Sequence, residues 1–482
     1  MINLLKNPQL IQTNLFIAGN WCDTANKFEV TNPATNQVIA SLSMADELLV
    51  KLAIADSERA FKLWRNESAK RRGEVLLKFY NLIMESADDL ALILTSEQGK
   101  PLAEAKGEIA YGASFVKWYA EEARRLDGYT VAANNASQRI MVNYQAVGVC
   151  AAIMPWNFPN AMLLRKLAPA LAAGCTMIAK PAKSTPLSTN ALGYLAHLAG
   201  IPAGCFNILH GHSGEIGQLL CHSQLVRKIT FTGSTEVGIW LYQNSANTMK
   251  KLSLELGGNA PLIVFEDADI EQAVQGIMQS KFRNAGQTCV CSNRILIHEK
   301  IHAKLVERLI HEVTQLQIGN GLDNGVQVGP LIDENALIHA KSLVEDALKS
   351  SAKILCGGKQ SKLGATFFEP TIIDCADTKL RLFREEIFAP ILAIYKFSND
   401  EEALRLANDT EYGLASYIFT QNLKRIYEFS EQLEYGMVGV NTGLISAENV
   451  PFGGVKMSGL GREGGHSGIK EYLVEKYVCV QL

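Results

Sequence analysis

The sequence predicts an α/β protein that contains a doubly wound parallel sheet. From Val147 onward, short runs rich in β-branched residues alternate with amphipathic segments of helix length. This alternation is typical of parallel strands that are covered by helices. At 482 residues the chain is also too long for one hydrophobic core, so we expect two or three domains with a cleft between them.

The first predicted set of strands and helices runs from Val147 to Gly258. A helix over 160–173 follows the first strand, and a second helix begins at Pro186 and ends at Gly200, because proline suits a first helical turn and glycine suits a helix end. The predicted strands are VGVCAAI (147–153), TMIAK (176–180), FNILH (206–210), RKITF (227–231) and KLSLEL (251–256).

A second α/β set begins with APLIVF (260–265) and continues through a helix over 270–282 and the strand NRILIH (293–298) to about Val440. Two further segments have strand-like alternation outside both sets: 128–146, and EYLVEKYVCVQL at the C-terminus. Strands without a partner in either set favour pairing between subunits, so we expect a homo-oligomer, either a dimer or a tetramer.

Composition argues against several classes of partner. A net charge of -3 provides no field that attracts nucleic acid. The N-terminus lacks the apolar core of a secretory signal, and prolines and basic residues interrupt the most apolar stretch, 147–179, so we expect no membrane span. Ten dilute cysteines without paired Cys-x-x-Cys motifs indicate a reducing, cytoplasmic setting and no bound metal.

The string FTGSTEVG (231–238) follows a predicted strand and opens a helix, so Gly233 and Gly238 occupy positions of a dinucleotide-binding loop. An NAD site usually has an acidic residue after the next strand, for the ribose 2′-hydroxyl. Here the corresponding segment carries Lys180 and Lys183, which suit a 2′-phosphate, so NADP is the expected cofactor, with NAD as the alternative. The competing interpretation is a pair of solvated lysines.

Three residues suggest covalent catalysis at a cysteine. Cys289 lies in a predicted loop between a helix and a strand, and Glu255 ends an apolar strand before two glycines. A carboxylate beside a thiol supplies the base that such a nucleophile needs. Asn157, in PWNFP, offers an amide that with the Cys289 backbone N–H would hold an oxyanion. Taken singly, these residues equally fit a buried cysteine, a paired carboxylate and a turn.

Together these motifs resemble the aldehyde dehydrogenase superfamily from about Leu15 to the C-terminus. PWNFP, KPA (180–182), FTGSTEVG, LELGGNAP, GQTC, EEIFAP (385–390), NTG and PFGGVKMSG (451–459) occur in that family's order. The resemblance implies that Cys289 attacks an aldehyde, that hydride passes to the nicotinamide, and that Glu255 activates the water that hydrolyses the thioester. It also assigns the following residues to the cofactor: Trp156, Lys180, Ser234 and Glu386.

The same resemblance implies the aldehyde-dehydrogenase-like fold, in which a Rossmann-type cofactor domain and a catalytic domain are joined by a small β extension used in oligomerisation. The corresponding ranges are 1–127 and 147–257 for the cofactor domain, 258–440 for the catalytic domain, 441–466 for a segment that closes the active site, and 128–146 with 467–482 for the extension. Ala389 departs from the more usual glycine, and Lys183 departs from the glutamate typical of members that prefer NAD.

KFRNAGQTCVCSNR and the ending GLGREGGHSGIKEYL are most similar to succinate-semialdehyde dehydrogenases. By this resemblance Arg165, Arg283 and Ser446 bind a distal carboxylate of the aldehyde, as guanidinium groups readily do. Two arginines near the thiol would also favour the thiolate. The alternatives are that either arginine pairs with a neighbouring acid, and that the substrate is glutarate semialdehyde or another aldehyde.

Cys291 has two interpretations: a passive residue at a strand edge, which we favour, or a thiol that forms a reversible disulfide with Cys289. Two other classes of protein compete with a dehydrogenase. A cysteine hydrolase needs a histidine base, and no histidine motif accompanies GQTC. A silent dinucleotide-binding protein has no need of Cys289, Glu255 and Asn157 together.

Overall fold

The computed structural model describes residues 4–375 and 377–482. In chain order the strands are β1 (Leu15–Ile17), β2 (Asn20–Cys22), β3 (Lys27–Thr31), β4 (Val38–Ser43), β5 (Tyr129–Val131), β6 (Gln138–Ala146), β7 (Val149–Ile153), β8 (Thr176–Lys180), β9 (Phe206–Ile208), β10 (Val226–Thr232), β11 (Lys251–Glu255), β12 (Ala260–Val264), β13 (Ser292–His298), β14 (Lys353–Cys356), β15 (Thr371–Asp374), β16 (Ile391–Phe397), β17 (Ala415–Phe419), β18 (Met437–Val440), β19 (Gly459–Leu460) and β20 (Leu473–Gln481).

Helices cover most of the connections between these strands. They are α1 (Glu47–Trp64), α2 (Ala69–Glu85), α3 (Ala87–Gln98), α4 (Leu102–Glu122), α5 (Pro159–Ala173), α6 (Pro186–Ala199), α7 (Ser213–His222), α8 (Thr235–Ser245), α9 (Ile270–Lys281), α10 (Glu299–Thr314), α11 (Glu334–Leu348), α12 (Arg381–Arg384), α13 (Asp400–Asn408), α14 (Leu423–Gln432) and α15 (Gly465–Lys470). In the part of the chain that the structure describes, no helix is both long and apolar enough to cross a membrane.

The first sheet has the strand order β19-β11-β10-β7-β8-β9-β1-β2, and β7 to β11 run parallel. The chain order moves outward in both directions from β7, with β8 on one side and β10 on the other. A crevice opens at the carboxyl ends of two strands where the order reverses in this way. The prediction of a doubly wound sheet is therefore confirmed, and the crevice lies after Ile153 and Thr232.

Burial explains why the sequence of this half is so apolar. Every residue of α5 is buried, as is every residue of β8. The predicted helix limits are confirmed: α5 stops at Gly174, which has a φ of +94°, and α6 begins with Pro186. The predicted strand bounds differ slightly at exposed or irregular ends, since β7 begins at Val149 and β9 stops at Ile208.

The second sheet has the order β14-β15-β16-β13-β12-β17-β18 and is parallel except for its edge strand β14. The loop that carries Cys289 connects α9 to β13 in the middle of this sheet. The segment after β11 enters the same sheet as β12, so residues 256–259 connect the two sheets. The Cys289 loop, which belongs to the second sheet, thereby reaches the crevice of the first sheet.

The segments that had no predicted home form a third, antiparallel sheet in the order β20-β6-β5. Leu473 pairs with Ala146 and Gln481 pairs with Gln138, so these strands pair with each other within one chain. The expected pairing between subunits stays a prediction. The proposed domain limits and the oligomeric state stay predictions.

Candidate active site

A cavity of about 270 Å³ lies at the carboxyl ends of β7 and β10. Apolar side chains form much of its wall, including Tyr111, Met162 and Phe452, which the sequence analysis did not single out because they belong to no chemical motif. The predicted site residues that line it are Trp156, Asn157, Arg165, Gly233, Ser234, Arg283, Cys289, Glu386 and Ser446. The cavity thus brings together residues from the predicted catalytic, cofactor and substrate groups.

The Cys289 loop has an unusual backbone. Three consecutive residues, Asn284, Ala285 and Gly286, have φ values of +52°, +53° and +75°. A Cβ on Gly286 would lie 2.3 Å from the Ala389 carbonyl oxygen, so only glycine fits this close approach. Left-handed residues persist where the surroundings fix them, which is common at functional sites.

The Cys289 thiol is partly exposed to the cavity. Burial, and secondly the Glu386 carboxylate, raise the pKa of this thiol to about 12, although Arg165 and Arg283 act in the opposite direction. The two arginines thus act in the expected direction, toward the thiolate, but desolvation outweighs them. A base is needed to remove the thiol proton.

Asn157 is buried, and both its side-chain amide and its backbone carbonyl form hydrogen bonds. Its side-chain Nδ2 donates to the Gln287 carbonyl at 3.0 Å, which leaves one amide proton for another acceptor. Its backbone carbonyl accepts from Lys100 Nζ at 2.8 Å and from Asn284 Nδ2 at 3.2 Å. Asn157 and the Cys289 loop are therefore directly hydrogen-bonded to each other, and the remaining amide proton of Asn157 is available for an oxyanion.

Glu255 ends β11 and is 1% exposed, and neither carboxylate oxygen has a hydrogen-bond partner among the residues described. Burial, followed by the neighbouring Glu463 carboxylate, raises its pKa well above the ordinary value. Glu255 itself does not line the cavity, but Leu256 and Gly257, which follow it, do. A perturbed, unpartnered carboxyl at such a position is typical of an acid–base residue. Gly258 allows the Glu255 segment to approach the nucleophile, since a Cβ there would lie 2.5 Å from the Cys289 carbonyl oxygen.

Arg165 is buried and paired. Its Nε donates to Glu463 at 2.5 Å, and its guanidinium carbon lies 4.2 Å from the centre of the Phe452 ring. Lys166 donates to the other Glu463 oxygen at 2.5 Å and to Thr232. Burial acts to raise the pKa of Glu463, but the two cations hold it below the ordinary value. Sequence reasoning missed Glu463 and Lys166, although an acid among the glycines of GREGG was a signal.

Arg283 differs from Arg165. It is half-buried, its guanidinium carbon lies 5.3 Å from the Phe158 ring, and no carboxylate lies within ion-pair distance of it among the residues described. Ser446 is half-buried on the same cavity. The interpretation that an arginine pairs with a neighbouring acid therefore holds for Arg165, while Arg283 keeps a cation available to the cavity.

The opposite part of the cavity fits a dinucleotide. Trp156 meets Phe388 edge to face at 5.7 Å, and Glu386 accepts from the Gly258 N–H at 3.0 Å through one oxygen, which leaves the other free. Burial raises the pKa of Glu386 to about 8. Ser234 caps α8 and lines the cavity, so the N-terminus of this helix, the end at which helices bind anions, lies at the crevice.

Lys180, Lys183 and Gly238 lie outside the cavity wall. Lys180 Nζ is buried and donates to Ser213 Oγ at 2.6 Å, and burial lowers its pKa to about 8. Lys183 is exposed, 5.7 Å from the Phe28 ring centre. Gly238 is buried, and a Cβ at this position would lie 2.4 Å from the Leu256 side chain. The absence of a side chain therefore allows α8 to pack closely against Leu256.

Cys291 is buried, and its thiol lies 3.6 Å from the Lys281 carbonyl oxygen. It does not line the cavity with Cys289. Among the residues in ranges 4–375 and 377–482, no cluster of three or more His, Cys, Asp and Glu side chains could hold a metal ion. The chemistry available to the cavity is therefore that of a thiol, a carboxyl group, amide donors and arginines.

The relatives that comparison with known proteins finds include three of similar identity that match over almost their whole length. The chain is 50% identical over 478 residues to a 3-sulfolactaldehyde dehydrogenase of Pseudomonas putida, covering 99% of this chain and 98% of the relative. It is 48% identical over 480 residues to an NADP-linked succinate-semialdehyde dehydrogenase of Escherichia coli K12, covering 99% and 100%. It is 49% identical over 480 residues to a glutarate-semialdehyde dehydrogenase of Pseudomonas putida KT2440, covering 99% and 100%.

A crystal structure of an NADP-dependent enzyme from E. coli superposes with a TM-score of 0.98 at 48% identity, covering 99% of this chain and 100% of that one. Residues 21–478 match the family model described as the aldehyde dehydrogenase family. Both findings agree with the two parallel sheets and the small antiparallel extension. The chain therefore belongs to the aldehyde dehydrogenase family, and it is an NAD(P)-dependent aldehyde dehydrogenase.

Proposed function

We propose that this enzyme oxidises succinate semialdehyde to succinate and prefers NADP. The observation that carries the proposal is the Arg283 guanidinium, which has no carboxylate partner among the described residues and lines the same cavity as Cys289. A substrate with an anionic group at its far end would pair with Arg283 while its aldehyde meets the thiol. The named substrates of the three relatives all carry a carboxylate or a sulfonate opposite the aldehyde.

In the first step, Cys289 transfers its proton to Glu255, directly or through water, and its sulfur forms a bond to the aldehyde carbon. The carbonyl oxygen becomes an oxyanion, which accepts hydrogen bonds from Asn157 Nδ2 and from the Cys289 backbone N–H. The Asn157 amide has one proton left for this purpose after its bond to Gln287. The product of this step is a thiohemiacetal on Cys289.

The dinucleotide would be held by Trp156, Ser234, Glu386 and the loop at Gly233, with Glu386 toward the nicotinamide ribose and Lys180 and Lys183 toward the 2′-phosphate. Bound there, the dinucleotide would supply the acceptor for the hydride that leaves the carbon attached to the cysteine sulfur. The same residues exclude water from the face of that carbon, and a thioester on Cys289 remains.

In the last step, Glu255 removes a proton from a water molecule, which attacks the thioester carbon. The carbon–sulfur bond breaks, the carboxylic acid is released, and the sulfur leaves as a thiolate that Glu255 reprotonates. The raised pKa of Glu255 means that its proton must be lost before it can act as this base. Burial is the main cause of the raised pKa of Glu255; the Glu463 carboxylate adds to it, and Arg165 and Lys166 act against it.

The decisive experiment is steady-state kinetics on succinate semialdehyde, glutarate semialdehyde, 3-sulfolactaldehyde and betaine aldehyde, each with NAD and with NADP. We expect the highest kcat/KM with succinate semialdehyde and NADP, and the lowest with the cationic betaine aldehyde. One additional methylene changes binding by only about 1–3 kcal/mol, so glutarate semialdehyde is the nearest competitor. Equal kcat/KM for anionic and cationic aldehydes would exclude the proposed anion pocket, and a strong preference for NAD would exclude the lysine assignment.

A further inference from the structure

Lys100 is a fully buried cation that no sequence motif for catalysis includes. Its Nζ donates to Glu108 Oε2 at 2.6 Å and to the Asn157 carbonyl at 2.8 Å, and it lies 3.7 Å from the centre of the Phe158 ring. Both side chains of the ion pair are almost completely excluded from solvent, with exposures of 0% and 1%. A buried ion pair is costly unless its geometry serves other groups as well.

Glu108 fixes the start of α5. Its second oxygen accepts from the backbone N–H groups of Asn160 and Ala161 at 3.0 and 3.2 Å. The N-cap residue of this helix, Phe158, has no side chain able to cap it. Glu108 therefore replaces the missing cap, and Lys100 connects that cap to the residue immediately before Phe158, which is Asn157.

A second connection joins Asn157 to the nucleophile loop. Asn284 Nδ2 donates to the carbonyl oxygens of both Asn157 and Gln287, each at 3.2 Å. The backbone N–H of Asn284 donates to Glu104 Oε2 at 2.8 Å. The Asn157 carbonyl thus has two donors, one from the buried ion pair and one from the loop that carries Cys289.

We propose that Lys100, held by Glu108, is a positioning residue that sets the location of the Asn157 amide relative to the Cys289 sulfur. The inference rests on the proposed oxyanion role of Asn157. Two donors restrain the Asn157 carbonyl and so fix the backbone from which its side chain projects, and the bond from Nδ2 to the Gln287 carbonyl then orients the amide. Catalytic donors must be held to within a fraction of an ångström, and a displacement of about 1 Å reduces rates by as much as a hundredfold.

The main test variant is the double substitution Lys100→Met with Glu108→Gln. Methionine fills the space of the lysine stem, and glutamine keeps an oxygen for the two N–H groups of α5, so no unpaired charge is left in the core. Lys228→Met is the matched control, because Lys228 is equally buried and bonds to Ser253 rather than to any cavity residue. Thermal unfolding and NADP binding by fluorescence titration check that each variant is folded.

The measurement is the single-turnover rate of NADPH formation with succinate semialdehyde, made in the parent and in an Asn157→Ala background. We expect the double variant to slow this rate about ten- to a hundredfold in the parent and to leave the KM for NADP unchanged. In the Asn157→Ala background the same substitutions should slow it less than twofold. Lys228→Met should leave the rate unchanged in both backgrounds.

Two outcomes would overturn the inference: an unchanged rate in the folded double variant, or an equal decrease in both backgrounds, which would show that Lys100 does not act through Asn157. A failure of the proposed function is distinguishable from these outcomes. If Asn157→Ala alone leaves the single-turnover rate unchanged, then the oxyanion assignment is wrong and the positioning inference falls with it.

Discussion

Arg165, which lines the same cavity as Cys289, forms a buried ion pair with Glu463, with Nε and Oε2 2.5 Å apart. Lys166 shares the same carboxylate, so one acid serves two cations. Arg283, on the same cavity, has no acidic partner among the residues described. The resemblance assigns both arginines to binding the substrate's distal carboxylate, but the charge of Arg165 is balanced by Glu463 and that of Arg283 is not balanced by a neighbouring acid among the residues described.

This difference predicts different effects of Arg283→Met and Arg165→Met. Removing Arg283 should raise KM for succinate semialdehyde by the factor that corresponds to a loss of about 1.5–3 kcal/mol in binding free energy, which is the contribution of a hydrogen-bonded charged pair. Removing Arg165 should also lower the free energy of unfolding by about 2 kcal/mol, less than for a fully unpaired buried charge because Lys166 remains. Steady-state kinetics and urea unfolding measure the two quantities.

An uncharged aldehyde such as butanal serves as the control substrate for both variants. Its kcat/KM should be nearly unchanged in Arg283→Met, since it has no anionic group to lose. If Arg283→Met impaired both aldehydes equally, then the arginine would act on the reaction centre or on the fold and not on the distal anion.

The raised pKa values of Glu255 and Cys289 predict how activity depends on pH. The pKa of Glu255 lies well above its ordinary value and that of the Cys289 thiol is about 12, and the reaction needs Glu255 as a carboxylate that can take a proton, so kcat should rise as the pH increases above neutral. Glu463→Gln removes a negative charge that acts on Glu255, while the positive charges of Lys166 and Arg165 continue to act on Glu255. The pKa of Glu255 should then fall, and the pH profile of thioester hydrolysis should move toward lower pH.

The rate of hydrolysis is measured under conditions where the thioester accumulates, so that the profile reports this step alone. Glu463→Gln also leaves two buried cations without a counter-ion, and we expect a loss of about 3–5 kcal/mol in the free energy of unfolding. A profile that did not move, in a variant shown to be folded, would mean that Glu463 does not influence the base.

Much of the fold was predictable because its parallel strands are buried on both faces and are therefore continuous apolar runs, as β8 shows. The strands β1 to β4 and β19 were not predicted, since β1 has only three residues and the others are partly exposed and do not form continuous apolar runs. Within the site, motifs identified Cys289, Glu255 and Asn157. The partners of these residues were not predictable, because Glu463 and Arg165 are 298 positions apart and only the folded chain brings them together.

We expect Lys183 to contribute to the choice between NADP and NAD. It is exposed near Lys180, so Lys183→Glu would place a carboxylate where a 2′-phosphate is expected. We expect KM for NADP to rise about tenfold or more, and KM for NAD to stay the same or fall. Lys362→Glu, at an exposed lysine far along the sequence, has the same change of net charge and should alter neither KM. Equal effects of the two substitutions would indicate a general charge effect.

Lys180 adds a pH dependence to the same binding site. Burial lowers the pKa of this lysine to about 8, so it is protonated below that pH and increasingly neutral above it. A neutral amine binds a phosphate less strongly than an ammonium does. The ratio of the Kd for NADP to the Kd for NAD should therefore increase as the pH rises through about 8. A constant ratio from about pH 7 to about pH 9 would contradict a contact between Lys180 and the 2′-phosphate.

Gly286 connects the backbone of the Cys289 loop to activity. Gly286→Ala forces a side chain into a φ of +75° and places a Cβ 2.3 Å from the Ala389 carbonyl oxygen, so the loop must move. We expect kcat to fall about ten- to a hundredfold through displacement of Cys289, and the free energy of unfolding to fall by about 1–3 kcal/mol.

Gly200→Ala is the matched control, because Gly200 has a φ of +87° and open space around the position of a Cβ. It should lose about 1 kcal/mol of stability and keep its kcat. A normal kcat in Gly286→Ala would mean that the contact with Ala389 does not determine where the thiol lies.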